Sequence, residues 1–281
     1  MIVSFHPLFR GDHNILCAGR EPGPSDLYAI RAANAVVLPQ GCQRQLYFMA
    51  RDNCPNVFPN YDARFRYPGK IGQIKLFIEE SISYPPTQVF QNLVEFKRRY
   101  PGSSSPSLPL VFKFDWGGEG ETVFFARSLI ELDQLLNRTA RYEASGQFGF
   151  LLQQYIPSGH RSLRVVVIGD GILSYWRICE EKNVFQTANL SKGAKLDLVG
   201  DSGLKKKAEN TVSDFCRCTG INLAGFDVIF AENESTPRPL LLEINYFFGR
   251  VGLGGSEHYY RLLKKAIKRW LKTIDVQHTQ F

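Results

Sequence analysis

An α+β architecture is what this sequence predicts, and three observations lead to it. Apolar runs of strand length arrive in neighbouring pairs, residues 110–114 with 122–126 and 164–168 with 172–178, each pair joined by a glycine-bearing turn. Amphipathic stretches at helical spacing separate the pairs. Strands and helices do not alternate regularly, which argues against a doubly wound parallel sheet.

The elements follow in order. Residues 26–38 and 45–50 are weakly apolar runs split by Pro39, Gln40 and Gly41, and they predict a small α/β front piece over residues 1–68. So short a piece is expected to dock on the rest rather than fold alone. Helical spacing through Ile71, Ile74, Phe77 and Ile78 predicts a helix over 70–80. Pro85 and Pro86 force an extended connection, and Thr87 then reads as the cap of a second helix over 88–99. The Ser-Pro run at 102–109 predicts a loop. A β-rich block follows, with a helix over 128–138 and a strand over 148–156. The hairpin of 164–168 and 172–178 turns at Gly169, Asp170 and Gly171, where Asp-Gly supplies the torsions of a tight turn. Leu204, Ala208, Thr211, Val212 and Phe215 mark a helix ended by Gly220, and strands over 226–231 and 239–244 precede a final helix. Residues 69–281 thus form the larger domain, with a lid over about 108–156.

The chain has 281 residues, 44% hydrophobic and 22% charged, an ordinary globular composition that excludes wholesale disorder. A net charge of +7 points to an anionic partner without naming it. Much of the excess lies on Arg261, Lys264, Lys265, Lys268, Arg269 and Lys272, whose spacing fits the solvated face of an amphipathic helix. Nucleic acid is therefore not expected as a partner. The six cysteines show neither zinc-ligand spacing nor a disulfide framework and are expected as reduced thiols. No leader-like start and no apolar run of membrane-spanning length is evident, so a cytoplasmic protein without membrane attachment is expected.

Three constellations carry chemistry. The run 240–245, Leu-Leu-Leu-Glu-Ile-Asn, places Glu243 and Asn245 on one face of a strand, and Asp227 on the preceding strand completes an oxygen-rich set suited to a hard cation. Lys113 precedes Gly117, Gly118, Glu119 and Gly120, a loop through which backbone amides can approach phosphate; no Lys-Ser/Thr follows the last glycine, so this is not the Walker arrangement. The strand 151–157 breaks at Gln154, Tyr155, Ile156 and Pro157, exposing backbone groups that can pair with a heterocycle edge.

In order and spacing, these segments resemble the ATP-grasp superfamily, and most closely its RimK-like branch of carboxylate-amine ligases. The resemblance spans residues 70–255, through Gly69-Lys70, Pro86-Thr87, Lys113, the glycine loop, 153–156, Arg164, Asn189 with Gly193, 225–227 and 242–245. It implies an ATP-grasp fold in which Lys70 and Lys113 hold phosphates, Gly117, Gly118, Glu119 and Gly120 cover them, and Gln154, Tyr155 and Ile156 line the adenine pocket, with Ser162 nearby. Asp227, Glu243 and Asn245 would hold Mg2+, with Mn2+ as the alternative, and Arg164, Arg177, Asn189 and Lys192 would contact the γ-phosphate or an acyl-phosphate. Ser162 replaces an acidic residue of the branch and Thr187 a basic one. The implied activity joins a small-molecule or peptide carboxylate to an amine through an acyl-phosphate. The alternative is an ATP-binding sensor or partner module without turnover.

Overall fold

The computed structural model describes residues 1–118, 120–179, 195–232 and 234–278, the side chains of 275–278 excepted. The front piece is a parallel sheet. Its strands β1 (Ile2–Ser4), β2 (His13–Asn14), β3 (Ala35–Val37) and β4 (Val57–Phe58) lie in the order β2-β1-β3-β4. Helices α1 (Pro24–Arg31) and α2 (Arg44–Asn53) connect them, and Val3, Val36, Leu46 and Tyr47 share the core between.

Two antiparallel sheets follow the short helices α3 (Asp62–Arg66) and α4 (Gly69–Glu79). The smaller holds β5 (Thr87–Phe90), β6 (Leu110–Phe114), β7 (Val123–Ala126) and β8 (Phe150–Gln154) in the order β5-β8-β6-β7. Helices α5 (Leu93–Arg99) and α6 (Leu129–Ala144) belong to this part of the chain, and stacked Phe112 and Phe150 lie in its core. The larger sheet is built from β9 (Arg161–Ile168), β10 (Gly171–Ile178), β11 (Lys195–Asp197), β12 (Leu223–Ile229) and β13 (Leu240–Asn245), in the order β11-β10-β9-β12-β13. Helix α7 (Ser202–Thr219) covers one face, and α8 (Gly255–His278) packs between this sheet and the front piece through Val37, Phe58, Val166 and Ile267.

Two sequence expectations need correction. Residues 88–99 are not one helix: Thr87–Phe90 pairs with β8, and the helix begins only after Asn92, whose side chain accepts the Glu95 N–H at 3.0 Å. Thr87 instead donates to the Pro85 carbonyl and accepts from Gln153. Ladder partners some 60 residues downstream override the local helical pattern. The β9–β10 hairpin forms as expected, but its left-handed torsion sits at Gly169 (φ +64°), so the two-residue turn is Gly-Asp rather than Asp-Gly.

Helix α4 ties the sheets together. The Gln73 amide is clamped to β13, donating to the Ile244 carbonyl at 2.9 Å and accepting its N–H at 2.8 Å. At the start of the same helix the Ile71 N–H donates to Asp115, just beyond β6, at 2.7 Å. One helix thereby fixes the end of the glycine-loop sheet against the strand that carries Glu243.

Candidate functional site

The cleft between the two antiparallel sheets encloses a cavity of about 740 Å³, a size that accommodates a nucleotide-scale ligand. Its floor is one face of the larger sheet. Strand register aligns Tyr175, Arg164, Asp227 and Glu243 in a single row across β10, β9, β12 and β13. One step of about 7 Å along the strands lies the Arg177 and Ser162 pair, towards the Gln154 end, and one step the other way the Gly225 and Asn245 pair. A register shift between Asp227 and Val228 increases the local twist beside Glu243.

These charges are largely buried. Asp227 Oδ1 accepts from Arg164 Nε and from Arg177, both at 2.6 Å, and Asn245 Nδ2 donates to Oδ2 at 3.2 Å. Burial pushes the Asp227 carboxyl up, but the two guanidinium groups outweigh it and hold it below the usual carboxylate range. Glu243 has no such support. Its carboxyl is raised by burial and by the Asp227 charge, against the pull of Lys70 and Lys113, and among the described residues it accepts no hydrogen bond. A cavity-facing carboxylate left uncompensated beside a second carboxylate and an amide oxygen is a donor set that fits a hard divalent cation.

Lys113, on β6 across the cleft, is buried and brought down to about 8 by that burial, which Glu243 partly offsets and Lys70 reinforces. Arg177 also donates to Ser162 Oγ at 2.9 Å and keeps its buried Nε without a partner among the described residues. Lys113, Arg164 and Arg177, all buried and lining the cavity, set three cations against the two carboxylates Asp227 and Glu243, a surplus that favours a polyanionic guest.

The structure gathers most, but not all, of the residues singled out in the sequence. Lys113, Gly118, Gly120, Gln154, Tyr155 and Ile156 face the cavity, as do Ser162, Arg164, Arg177, Asp227, Glu243 and Asn245. Lys70 and Gly117 do not line it. The Lys70 ammonium instead donates to the Trp116 and Gly117 carbonyls at 3.1 and 3.2 Å, pinning the glycine loop from behind. Glu119, Thr187, Asn189 and Lys192 lie outside the described residues. Sequence reasoning missed Tyr175, which alternation from Arg177 would have placed on the same face. It also missed the wall made by Phe247, Phe248 and Val251, for which an apolar loop gives no periodic signal.

Residues 69–268 match the family model described as a RimK-like ATP-grasp domain. Solved structures of similar fold include a RimK domain ATP-grasp protein from Sphaerobacter thermophilus DSM 20745, with a TM-score of 0.61 at 14% identity, covering 94% of this chain and 98% of that one. The D-alanine–D-alanine ligase of Bacillus anthracis gives 0.60 at 14% identity over 94% and 87%. The VanG D-Ala:D-Ser ligase of Enterococcus faecalis gives 0.59 at 14% over 85% and 73%. No curated protein sequence matches the chain. The similarity of fold and the family match over more than half of its length agree: this chain has the ATP-grasp fold and belongs to the RimK-like ATP-grasp family.

Proposed function

We propose that the protein is an ATP- and magnesium-dependent ligase that joins a carboxylate to an amine through an acyl-phosphate. The observation that carries this reading is the buried row of Arg164, Asp227 and Glu243, facing Lys113 across a cavity of nucleotide size. In this reading the adenine lies at Gln154, Tyr155 and Ile156, where β8 ends, and the phosphates run over the row beneath Lys113 and the glycine loop. Magnesium held by Asp227, Glu243 and Asn245 neutralises phosphate oxygens when bound. The four-stranded sheet acts as the lid, and the front piece closes the far end.

A substrate carboxylate oxygen attacks the γ-phosphorus, the bond to the β-phosphate bridging oxygen breaks, and ADP leaves with that electron pair. An amine then attacks the acyl carbon, phosphate departs, and the ammonium formed loses a proton. Arg164 and Arg177 are preorganised cations beside the developing charge, held by Asp227 so that they need no reorganisation.

Incubation with ATP, magnesium and pools of carboxylic acids and amines is expected to release ADP, and Glu243→Gln is expected to lower the rate by about 10²–10³-fold. ATP binding with no ADP release from any pool would overturn the ligase reading and favour a sensor.

A further inference from the structure

The cavity changes character beyond Asn245. The loop between β13 and α8 lies over the sheet there: a Cβ at Gly225 would meet Arg164 at 2.8 Å and come within 3.2 Å of Phe248 Cβ, and the Gly252 backbone rests on the Tyr175 ring. Phe247 and Val251 from this loop face the cavity, 73% and 67% exposed, and Phe247 crosses Gly41 of the front piece. Among the described residues the other exposed large hydrophobics lie away from the cavity. The loop contributes no charged group to this wall, because its one arginine, Arg250, is laid over the Tyr259 and Tyr260 rings at 4.8 and 4.6 Å and does not line the cavity.

Position along the strands fixes what meets this wall. Starting from Gln154, the floor passes from Ser162 and Arg177 to the Arg164 and Asp227 row, then to Gly225 and Asn245, and ends at Phe248. A nucleotide laid with its base at Gln154 presents its terminal phosphate at the row, so the group next in line is the carboxylate that attacks it, with the rest of that molecule against the loop.

Resting on the ligase reading above, we infer that the carboxylate substrate is a monocarboxylic acid carrying an aliphatic or aromatic body, seated on Phe247, Phe248 and Val251. Such a body covers the apolar surface of Phe247 and Val251 that otherwise faces water. A second carboxylate or an ammonium on the substrate finds no partner on this wall and is disfavoured there.

Trapping of the acyl-phosphate with hydroxylamine tests this, since the reagent displaces phosphate and leaves a hydroxamic acid without needing the natural amine. With ATP and magnesium, 3-phenylpropionate and hexanoate are expected to give kcat/KM at least about tenfold above glutarate and acetate, the scale on which apolar pockets discriminate. Phe247→Ala and Val251→Ser are each expected to raise KM for 3-phenylpropionate about tenfold while changing kcat and the KM for ATP little. Leu16→Ala, an equally exposed apolar residue away from the cavity, should change neither. Preference for glutarate, or an unchanged acid KM in both wall variants, would overturn the substrate class and leave the ligase reading standing. Hydroxamate from no acid despite ATP binding would overturn both.

Discussion

Phe226 and Asp227 are neighbours on one strand, yet they face two regions of opposite character, and both regions are buried. On the Phe226 side Leu163, Val165, Trp176 and Ile244 make a dry interior against α4 and α7. On the Asp227 side the same strands hold Arg164, Arg177 and Glu243. Burying ions in this way is poor economy for stability, because desolvation offsets much of the attraction. The contrast teaches a division of labour within one sheet. The apolar face supplies the rigidity that lets the ionic face hold a cation-rich, partly uncompensated arrangement.

The largest way to break this contrast is at Asp227. Asp227→Asn removes the charge that pairs both arginines, and turnover is expected to fall about 10³-fold or more, a loss of roughly 4 kcal/mol; steady-state ADP release, alongside a denaturation curve, separates it from unfolding. Next comes the opposite face. Phe226→Ala leaves a cavity in the dry core and is expected to cost about 3–4 kcal/mol of stability, seen in urea unfolding, while the molecules still folded keep their rate.

The smallest effect sharpens the comparison through pH. Lys113 gives up its proton near 8 in the folded chain rather than at its ordinary 10.5. Between those values the unfolded chain binds more protons, so this residue's contribution to stability rises with pH; below about 8 its buried charge is a cost. Lys113→Met is therefore expected to stabilise the unliganded protein by about 1–3 kcal/mol at pH 7, and the advantage over wild type should shrink as pH rises from 8 to 10. Thermal melts of both proteins across that range would show a constant difference if burial of Lys113 carried no cost.

Much of this contrast was legible beforehand, and the failures are instructive. The alternation in residues 240–245 announces that Glu243 and Asn245 share a face, because a strand's period is a local property. Strand β5 was not legible, since what makes Thr87–Phe90 extended is the β8 strand far along the chain, while its own spacing suits a helix. Lys70 was marked for phosphate by the resemblance alone; that its ammonium reaches the Trp116 and Gly117 carbonyls is set by how α4 meets the end of β6, which no local pattern records. Tyr175 was not singled out, because an aromatic in an apolar strand carries no local sign that it faces a cavity. The Phe247 wall exists only where residue 247 crosses residue 41, which no local pattern records.

Gln40, beside that crossing, has a consequence for how the molecule is made. Its amide donates to the Tyr246 carbonyl at 3.3 Å and accepts from the Tyr259 hydroxyl at 3.0 Å, partners 206 and 219 residues further along the chain. At ordinary translation speeds Gln40 leaves the ribosome roughly 10–40 s before either partner exists. During that interval the front sheet has its strands but not the loop and helix against which its edge rests. The nascent chain thus completes its nucleotide-sized cleft only after Tyr246 and Tyr259 have been made.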